Sequence, residues 1–315
     1  MADDRAKKIV LVVRATRLDE LVVRYNTADQ ARFYVEHLGA DFSDYVAEHR
    51  RYQEAVAETE AILRDFGLVQ RLDRRFLPNF IFGRQDAVIV LGPDGLVANT
   101  LKYLEGQRVV AVNPDPNRWD GVLLPFHVPD LRRVMRDEAG AKRPVKAVSM
   151  AQATLNTGER LLAVNDLFIG RKTHASARYV VKVGGREEGQ SSSGVIISTG
   201  LGSTGWLKSV YAGWAATART VLGSNAVPAG SMSEPSFPWD ADRLHWFVRE
   251  PFPSRGLGTE LVIGWLGGGE CLRLVSQMPE DGVVFSDGIE ADFLAFNSGT
   301  QAVVSIAEAR GVLVV

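Results

Sequence analysis

Asp86-Ala-Val-Ile-Val-Leu-Gly-Pro-Asp-Gly95 is an apolar run that breaks into a tight turn carrying one acid, Asp94. Ala87 to Leu91 is apolar and β-rich throughout, the texture of a buried strand. Leu96 to Leu104, just beyond the turn, reads as a helix that stops before Gly106. Working outward, Ile9 to Val13 and Val109 to Val112 are further strand candidates. Asp44 to Phe66, rich in Glu, Ala and Arg, reads as a helix closed by Gly67. This β-α-β alternation predicts a mostly parallel sheet covered by helices over residues 1–125. Ligands of such sheets sit beyond the carboxyl ends of the strands, where Gly92 to Gly95 falls.

From about Val145 the texture changes. Leu161 to Ile169, Arg178 to Val183, Val195 to Thr199, Leu244 to Val248, Leu261 to Leu266 and Ala302 to Ile306 read as strands, with turns such as Gly184-Gly185 and Asp281-Gly282. One helical pattern, Ser203 to Thr220, interrupts them. A β-rich domain over 126–304 is therefore expected, with the boundary in the Pro-containing stretch Asn113 to Pro129 and a long loop over Gly223 to Pro238. There is no internal repeat.

The bulk numbers fit this organisation. A chain of 315 residues suits two domains, and 46% hydrophobic against 23% charged residues supports a sizeable core. A net charge of -2 carries no basic excess for nucleic acid or an anionic membrane. The single cysteine, Cys271, forms no intrachain disulfide and reads as a small core residue; a reducing, cytoplasmic setting fits. The apolar run Ile9 to Val13 is too short for a signal segment and follows two acids, so it reads as a first strand. No run approaches the roughly 18 apolar residues of a membrane span.

A second glycine-rich turn lies about a hundred residues on: Ser193-Gly-Val-Ile-Ile-Ser-Thr-Gly-Leu-Gly-Ser-Thr-Gly-Trp206. Both turns deliver backbone N–H groups to a helix start, which suits phosphate oxygens. Asp94 is either a helix N-cap or an acid that orients a cation or takes a proton from an attacking hydroxyl. Asn165-Asp166 lies within the strand-like run, as a solvent-facing pair or a bulge, or as hydrogen-bonding partners for a ribose or base. The glycines at 200, 202 and 205 either shape a structural turn or let the backbone approach a ligand, with Trp206 beside a base. His127, His174 and His245 lack metal-ligand spacing and read as structural. Arg171-Lys172 reads as a solvated turn, with contact to phosphate as the other option, and Arg71 to Arg75 as a solvated face.

Taken in order, these residues resemble the NAD kinase family. Gly92-Pro-Asp-Gly95 is similar to its Gly-Gly-Asp-Gly motif, Asn165-Asp166 to its Asn-Glu pair, and Thr199 to Trp206 to its Thr-x-x-Gly-Ser-Thr-Ala-Tyr turn. Thr16-Arg17-Leu18, Ala111-Val-Asn-Pro-Asp-Pro116, Ser192-Ser193-Gly194, Arg249-Glu250-Pro251 and Asp287-Gly288 resemble runs of the mitochondrial-type branch. The resemblance implies an N-terminal α/β domain, a β-rich C-terminal domain, and a tail over about 305–315 that returns to the first. It implies transfer of the γ-phosphoryl of ATP to the 2′-hydroxyl of the adenosine ribose of NAD or NADH, with Mg²⁺ or another divalent metal. Asp94 would activate that hydroxyl and meet the metal through a water. Gly92, Gly95, Gly202 and Ser203 would meet the donor's phosphates. Asn165, Asp166, Thr204, Gly205, Trp206 and Ser209 would hold the dinucleotide. A homodimer or higher homo-oligomer is also implied.

Pro93 and Asp166 depart from the family pattern, one removing an N–H and the other shortening the acid by a methylene. Two other function classes fit the same residues. One is a kinase of this scaffold acting on a sugar or lipid; the other is a non-catalytic nucleotide-binding protein.

Overall fold

The computed structural model describes residues 8–223 and 236–315, so most of the loop expected over Gly223 to Pro238 lies outside the described residues. The chain divides into two units, Met1–Lys146 with Val312–Val315, and Ala147–Gly311.

The first unit runs β1 (Lys8–Val13), α1 (Arg17–Tyr25), α2 (Ala28–His37), α3 (Ser43–Leu63), β2 (Leu68–Asp73), β3 (Ala87–Leu91), α4 (Asp94–Leu101), β4 (Arg108–Asn113), β5 (Phe126–His127) and α5 (Leu131–Glu138). Its strands are parallel and ordered β5-β4-β3-β1-β2. Alternate strand residues Ile9, Leu11, Ile89 and Leu91 face Tyr52, Val56 and Leu63 of α3 and Leu131 and Val134 of α5 in one buried cluster. The chain passes from β1 to β2 on one side, then returns to β3 on the other side of β1. The direction of winding thus reverses between β1 and β3, which makes their carboxyl ends the topological switch point.

Three details differ from the sequence reading. The helix α3 ends at Leu63, and Gly67 does not take the left-handed conformation of a helix-terminating glycine. Tight bonds from Asp65 N–H to Ile62 O and from Phe66 N–H to Leu63 O close it instead. The next helix spans Asp94–Leu101 rather than Leu96 to Leu104. The first unit runs on past residue 125 to Lys146, because β5 extends the sheet beside β4 and α5 adds Leu131, Val134 and Met135 to the same core.

The second unit runs β6 (Val145–Leu155), β7 (Arg160–Ala163), β8 (Asp166–Arg171), β9 (Ala177–Val183), β10 (Arg186–Ser192), β11 (Val195–Ser198), α6 (Trp206–Leu222), β12 (Arg243–Val248), β13 (Ile263–Gly267), β14 (Leu272–Ser276), β15 (Gly282–Ser286), β16 (Ile289–Ala295) and β17 (Gln301–Val314). One antiparallel sheet is ordered β13-β12-β11-β8-β15-β16. A second is built from β10-β9-β14-β17, with β6 beside β17 and β7. Leu167, Ile169, Val195 and Ile197 of the first pack against Tyr179, Val181, Leu274 and Val304 of the second. The other face of the six-stranded sheet, with Phe168, Ile196 and Phe247, is covered by Leu207, Val210 and Trp214 of α6. Within β17 only the last residues belong to the first unit, where Val312 pairs with Arg108 of β4.

The expected single strand Leu161 to Ile169 is two strands, β7 and β8, broken at Val164-Asn165. The helix expected from Ser203 begins at Trp206, after a short 3₁₀ turn over Gly202–Thr204. Cys271 is half-buried rather than a core residue. No helix among the described residues is long and apolar enough to cross a membrane.

Candidate active site

In the first unit the site grows from the end of β3. Val12 of β1 pairs with Val90 of β3, so Arg14 follows β1 where Gly92 follows β3. Tyr52, a buried residue of α3, fixes both ends: its hydroxyl accepts the N–H of Arg14 at 3.0 Å and donates to the carbonyl of Leu91 at 2.8 Å. Burial pushes the Tyr52 phenol up to about 12, so it keeps the proton that it donates. The N–H of Gly92 closes the strand by donating to Val112 O at 3.3 Å.

Pro93 then caps α4 with φ -71° and ψ 165°, and its carbonyl accepts the N–H of Leu96 at 2.8 Å. Asp94 is therefore the first helical residue and not the N-cap. Its Oδ1 accepts the N–H of Leu123 at 2.6 Å, which aims the carboxylate from the loop after β4. Gly95 is exposed, and a side chain there would meet open space. The N–H groups of Asp94 and Gly95 have no partner among the described residues and sit at a helix N-terminus.

An ionic network surrounds this switch point. Glu48 is 3% exposed and receives Arg14 at 2.7 Å and Arg17 at 2.5 Å. Burial alone would raise its pKa, but the hydrogen bonds from the two guanidinium groups outweigh it and hold the carboxyl below its ordinary range. Asp44 bridges Arg118 and Arg17, and those bonds hold it far below the usual carboxylate range. Sequence reading missed Glu48 and Tyr52. Their spacing of four places them on one face of α3, beside the apolar residues Ala55 and Val56, and a buried acid in that stripe is the signal that was available.

In the second unit the break between β7 and β8 is held from two sides. Asp287, at φ +55°, accepts the N–H groups of Val164 at 3.1 Å, Asn165 at 2.6 Å and Asp166 at 3.3 Å. Thr199 donates its N–H to Asn165 O at 2.9 Å and its hydroxyl to Val164 O at 2.5 Å. Asn165-Asp166 is thus a clamped corner and not a mid-strand pair. The Asn165 side chain is half-exposed and makes no hydrogen bond among the described residues.

Asp166 is 9% exposed, and its Oδ1 is buried without a hydrogen-bond partner. Burial pushes its carboxyl up to about 7, with the neighbouring Asp287 charge adding to the rise and the Ser198 hydroxyl opposing it. An unpartnered buried carboxyl oxygen is costly, and a ligand hydroxyl or N–H would relieve it.

The second glycine turn packs on this corner. A Cβ at Gly202 would lie 2.1 Å from Asn165 O, and one at Gly200 would lie 1.9 Å from Pro238 O. These glycines let backbone meet backbone. Gly202 N–H donates to Thr199 Oγ1 at 3.2 Å, Ser203 N–H to Thr199 O at 3.0 Å, and Ser203 Oγ to Gly200 O at 2.6 Å. The Thr204 hydroxyl turns to Leu201 O at 3.2 Å and the Ser209 hydroxyl to Trp206 O at 2.7 Å. Gly205 is exposed at the cap of α6, and Trp206 stacks on Phe168 at 6.0 Å. The structure therefore brings Asn165, Asp166, Gly202 and Ser203 together, while Gly92, Asp94 and Gly95 gather in the first unit.

Among solved structures, the chain is similar to a yeast NADH kinase complexed with NADH, with a TM-score of 0.59 and 14% identity over 99% of this chain and 84% of that one. It is also similar to an NAD kinase from Archaeoglobus fulgidus in complex with ATP, with a TM-score of 0.54 and 14% identity over 98% of this chain and 93% of that one. The fold is that of the NAD kinases. No family model and no curated protein matches the sequence.

Among the described residues no group of three or more His, Cys, Asp or Glu is placed to hold an ion. His245 is buried, which pushes its pKa down to about 4, and it bonds Tyr211 at 2.9 Å as a neutral ring. Arg171 is not a solvated turn residue, since its side chain is 18% exposed at the end of β8.

Proposed function

We propose that this chain transfers the γ-phosphoryl group of ATP to the 2′-hydroxyl of the adenosine ribose of NAD or NADH. The observation that carries the reading is the Gly92–Gly95 turn, with its single carboxylate, at the switch point of a chain that has the NAD kinase fold. Phosphoryl transfer asks mainly for positioning and charge neutralisation.

In this reading Asp94 accepts the proton of the 2′-hydroxyl as its oxygen attacks the γ-phosphorus, and ADP leaves. Its bond from Leu123 keeps one oxygen occupied and orients the other for that task. The free N–H groups at the start of α4 meet phosphate oxygens, and the open space over Gly95 admits them. Asn165 and Asp166 take the dinucleotide, where the unpartnered Asp166 oxygen accepts from a ribose hydroxyl or a ring N–H. Gly202, Ser203, Thr204 and Ser209 act by shaping the corner, since their own polar groups are spent on local carbonyls and on Thr199.

A hard divalent cation fits this donor set: one carboxylate, Asp94, with nucleotide phosphates and waters completing the shell. Bound there, it would neutralise charge on the transferring group.

A panel of acceptors incubated with labelled ATP and Mg²⁺, with products identified by mass, tests the reading. NAD or NADH should gain one phosphoryl group; a sugar or a lipid labelled in their place would overturn the choice of acceptor.

A further inference from the structure

The connection from β2 to β3, Arg74 to Gln85, reads Arg-Arg-Phe-Leu-Pro-Asn-Phe-Ile-Phe-Gly-Arg-Gln and holds three arginines and no acid. The net charge of -2 over the whole chain hides this local excess. The connection is anchored along its length. Leu77 is its one buried residue and plugs it into the unit. Phe80 N–H donates to Leu77 O at 3.2 Å, and Gly83 N–H donates to Asp86 Oδ2 at 2.9 Å. Gln107 Nε2 holds Gly83 O at 3.2 Å.

These anchors hold apolar side chains out in solvent. Ile81 is 90% exposed, Phe76 53%, and Leu68 at the start of β2 67%. Phe80 and Phe82 meet edge to face at 4.7 Å, on either side of Ile81 in the chain. Lys8 lies 4.9 Å over the Phe80 ring and is in register with Leu68 across β1 and β2. Leu68, Phe80 and Ile81 therefore gather at the amino ends of the strands, while the Gly92–Gly95 turn follows the carboxyl end of β3. The acids that flank the connection are already engaged: Asp73 with Arg75 at 3.5 Å and Asp86 with Lys8 at 3.3 Å. Arg74 and Arg84 are exposed and without an ion pair among the described residues.

Exposed apolar tips ringed by arginines ask for a partner that is anionic at its surface and apolar beneath it. A second copy of this chain does not meet that need, because a two-fold contact would set Arg74 and Arg84 against like charge. Single-stranded nucleic acid stacks its bases on rings, whereas the most exposed group here, Ile81, is aliphatic. We propose that this connection docks on an anionic lipid surface, with Ile81, Leu68 and Phe76 entering the headgroup–acyl boundary and Arg74, Arg75 and Arg84 meeting the lipid phosphates. Arginine suits that depth, since its stem lies along apolar surface while its head stays at the phosphates. Arg75 already lies 5.0 Å over the Phe76 ring. Binding of this kind is peripheral and reversible, and it leaves the Gly92–Gly95 turn uncovered.

Co-sedimentation of the full-length protein with lipid vesicles tests this. Vesicles of equimolar phosphatidylglycerol and phosphatidylcholine should carry the protein down at low salt, and vesicles of phosphatidylcholine alone should not. High salt should weaken the binding, because exposed charges are screened. Ile81→Ser should weaken it roughly tenfold, the scale of burying one large aliphatic side chain. Arg84→Gln should weaken it about fivefold, the scale of one arginine at an anionic surface. Ile81→Trp should keep it, since tryptophan favours the interface. Both positions are exposed, so Tm should stay at the wild-type value in all three variants. No sedimentation with the anionic vesicles, equal binding to both vesicle types, or full binding by both Ile81→Ser and Arg84→Gln would overturn the proposal. Binding of single-stranded RNA in place of the anionic vesicles would also overturn it, in favour of a nucleic-acid surface.

Discussion

The backbone N–H of Asn165 donates to Oδ1 of Asp287 at 2.6 Å, across 122 positions of sequence. The same carboxylate takes the N–H groups of Val164 and Asp166, so one side chain shapes the whole corner that carries Asn165 and Asp166. Asp287→Ala leaves those donors without their acceptor. It should lower stability by about 1–3 kcal/mol, the cost of stranding buried donors, and weaken NAD binding at the same time. Urea unfolding and calorimetric titration read the two effects. A loss of affinity at full stability would show Asp287 to be a ligand contact and not a clamp.

Asp166 gives a pH signature. Its folded carboxyl titrates at about 7, pushed up chiefly by burial, while an unfolded aspartate titrates near 3.9. Between those values the folded state binds the extra proton, so stability is fully present below about pH 4 and declines as pH rises through about 7. Compared with Asp166→Asn, the wild type should lose on the order of 1 kcal/mol or more between pH 5 and pH 8. Parallel slopes for the two proteins in urea unfolding would refute the burial account.

If the unpartnered Asp166 oxygen receives the dinucleotide, Asp166→Ala should weaken NAD binding by about 1.5–3 kcal/mol, the scale of a hydrogen bond to a charged group. An unchanged Kd would show that this buried oxygen meets nothing on the ligand.

Pro93 replaces a donor with a rigid residue, yet φ -71° is a value that proline favours and the position is a helix cap. Stiffness should therefore govern. Pro93→Gly is expected to lower stability by about 0.4–1 kcal/mol through the entropy of the unfolded chain, with kcat/KM for ATP unchanged. A tenfold gain in that ratio would show that the missing N–H matters more.

Much of this was legible in the sequence where local pattern and fold agree. The runs at Ile9, Ala87 and Val109 are apolar because both faces of their strands are covered, and they became β1, β3 and β4. The helices α1 and α2 were not anticipated, although Thr16 and Asp19 carry a capping box that marks the start of α1. The break at Val164-Asn165 had one local signal, the polar pair Asn165-Asp166 inside an otherwise apolar run, but the clamp that makes it a corner comes from Asp287 and Thr199 in distant sequence.

The central claim is that Asp94 drives phosphorylation of the dinucleotide at its 2′ position. The direct measurement is the product formed from NAD, ATP and Mg²⁺ by wild type and by Asp94→Asn, with the phosphate located on the adenosine ribose by NMR. The account predicts a 2′-phosphate from the wild type and a kcat roughly 10²-fold lower, or more, in the variant. No phosphorylated dinucleotide from the wild type, or a kcat for Asp94→Asn within about threefold of it, the margin at which general-base help is absent, would contradict the account.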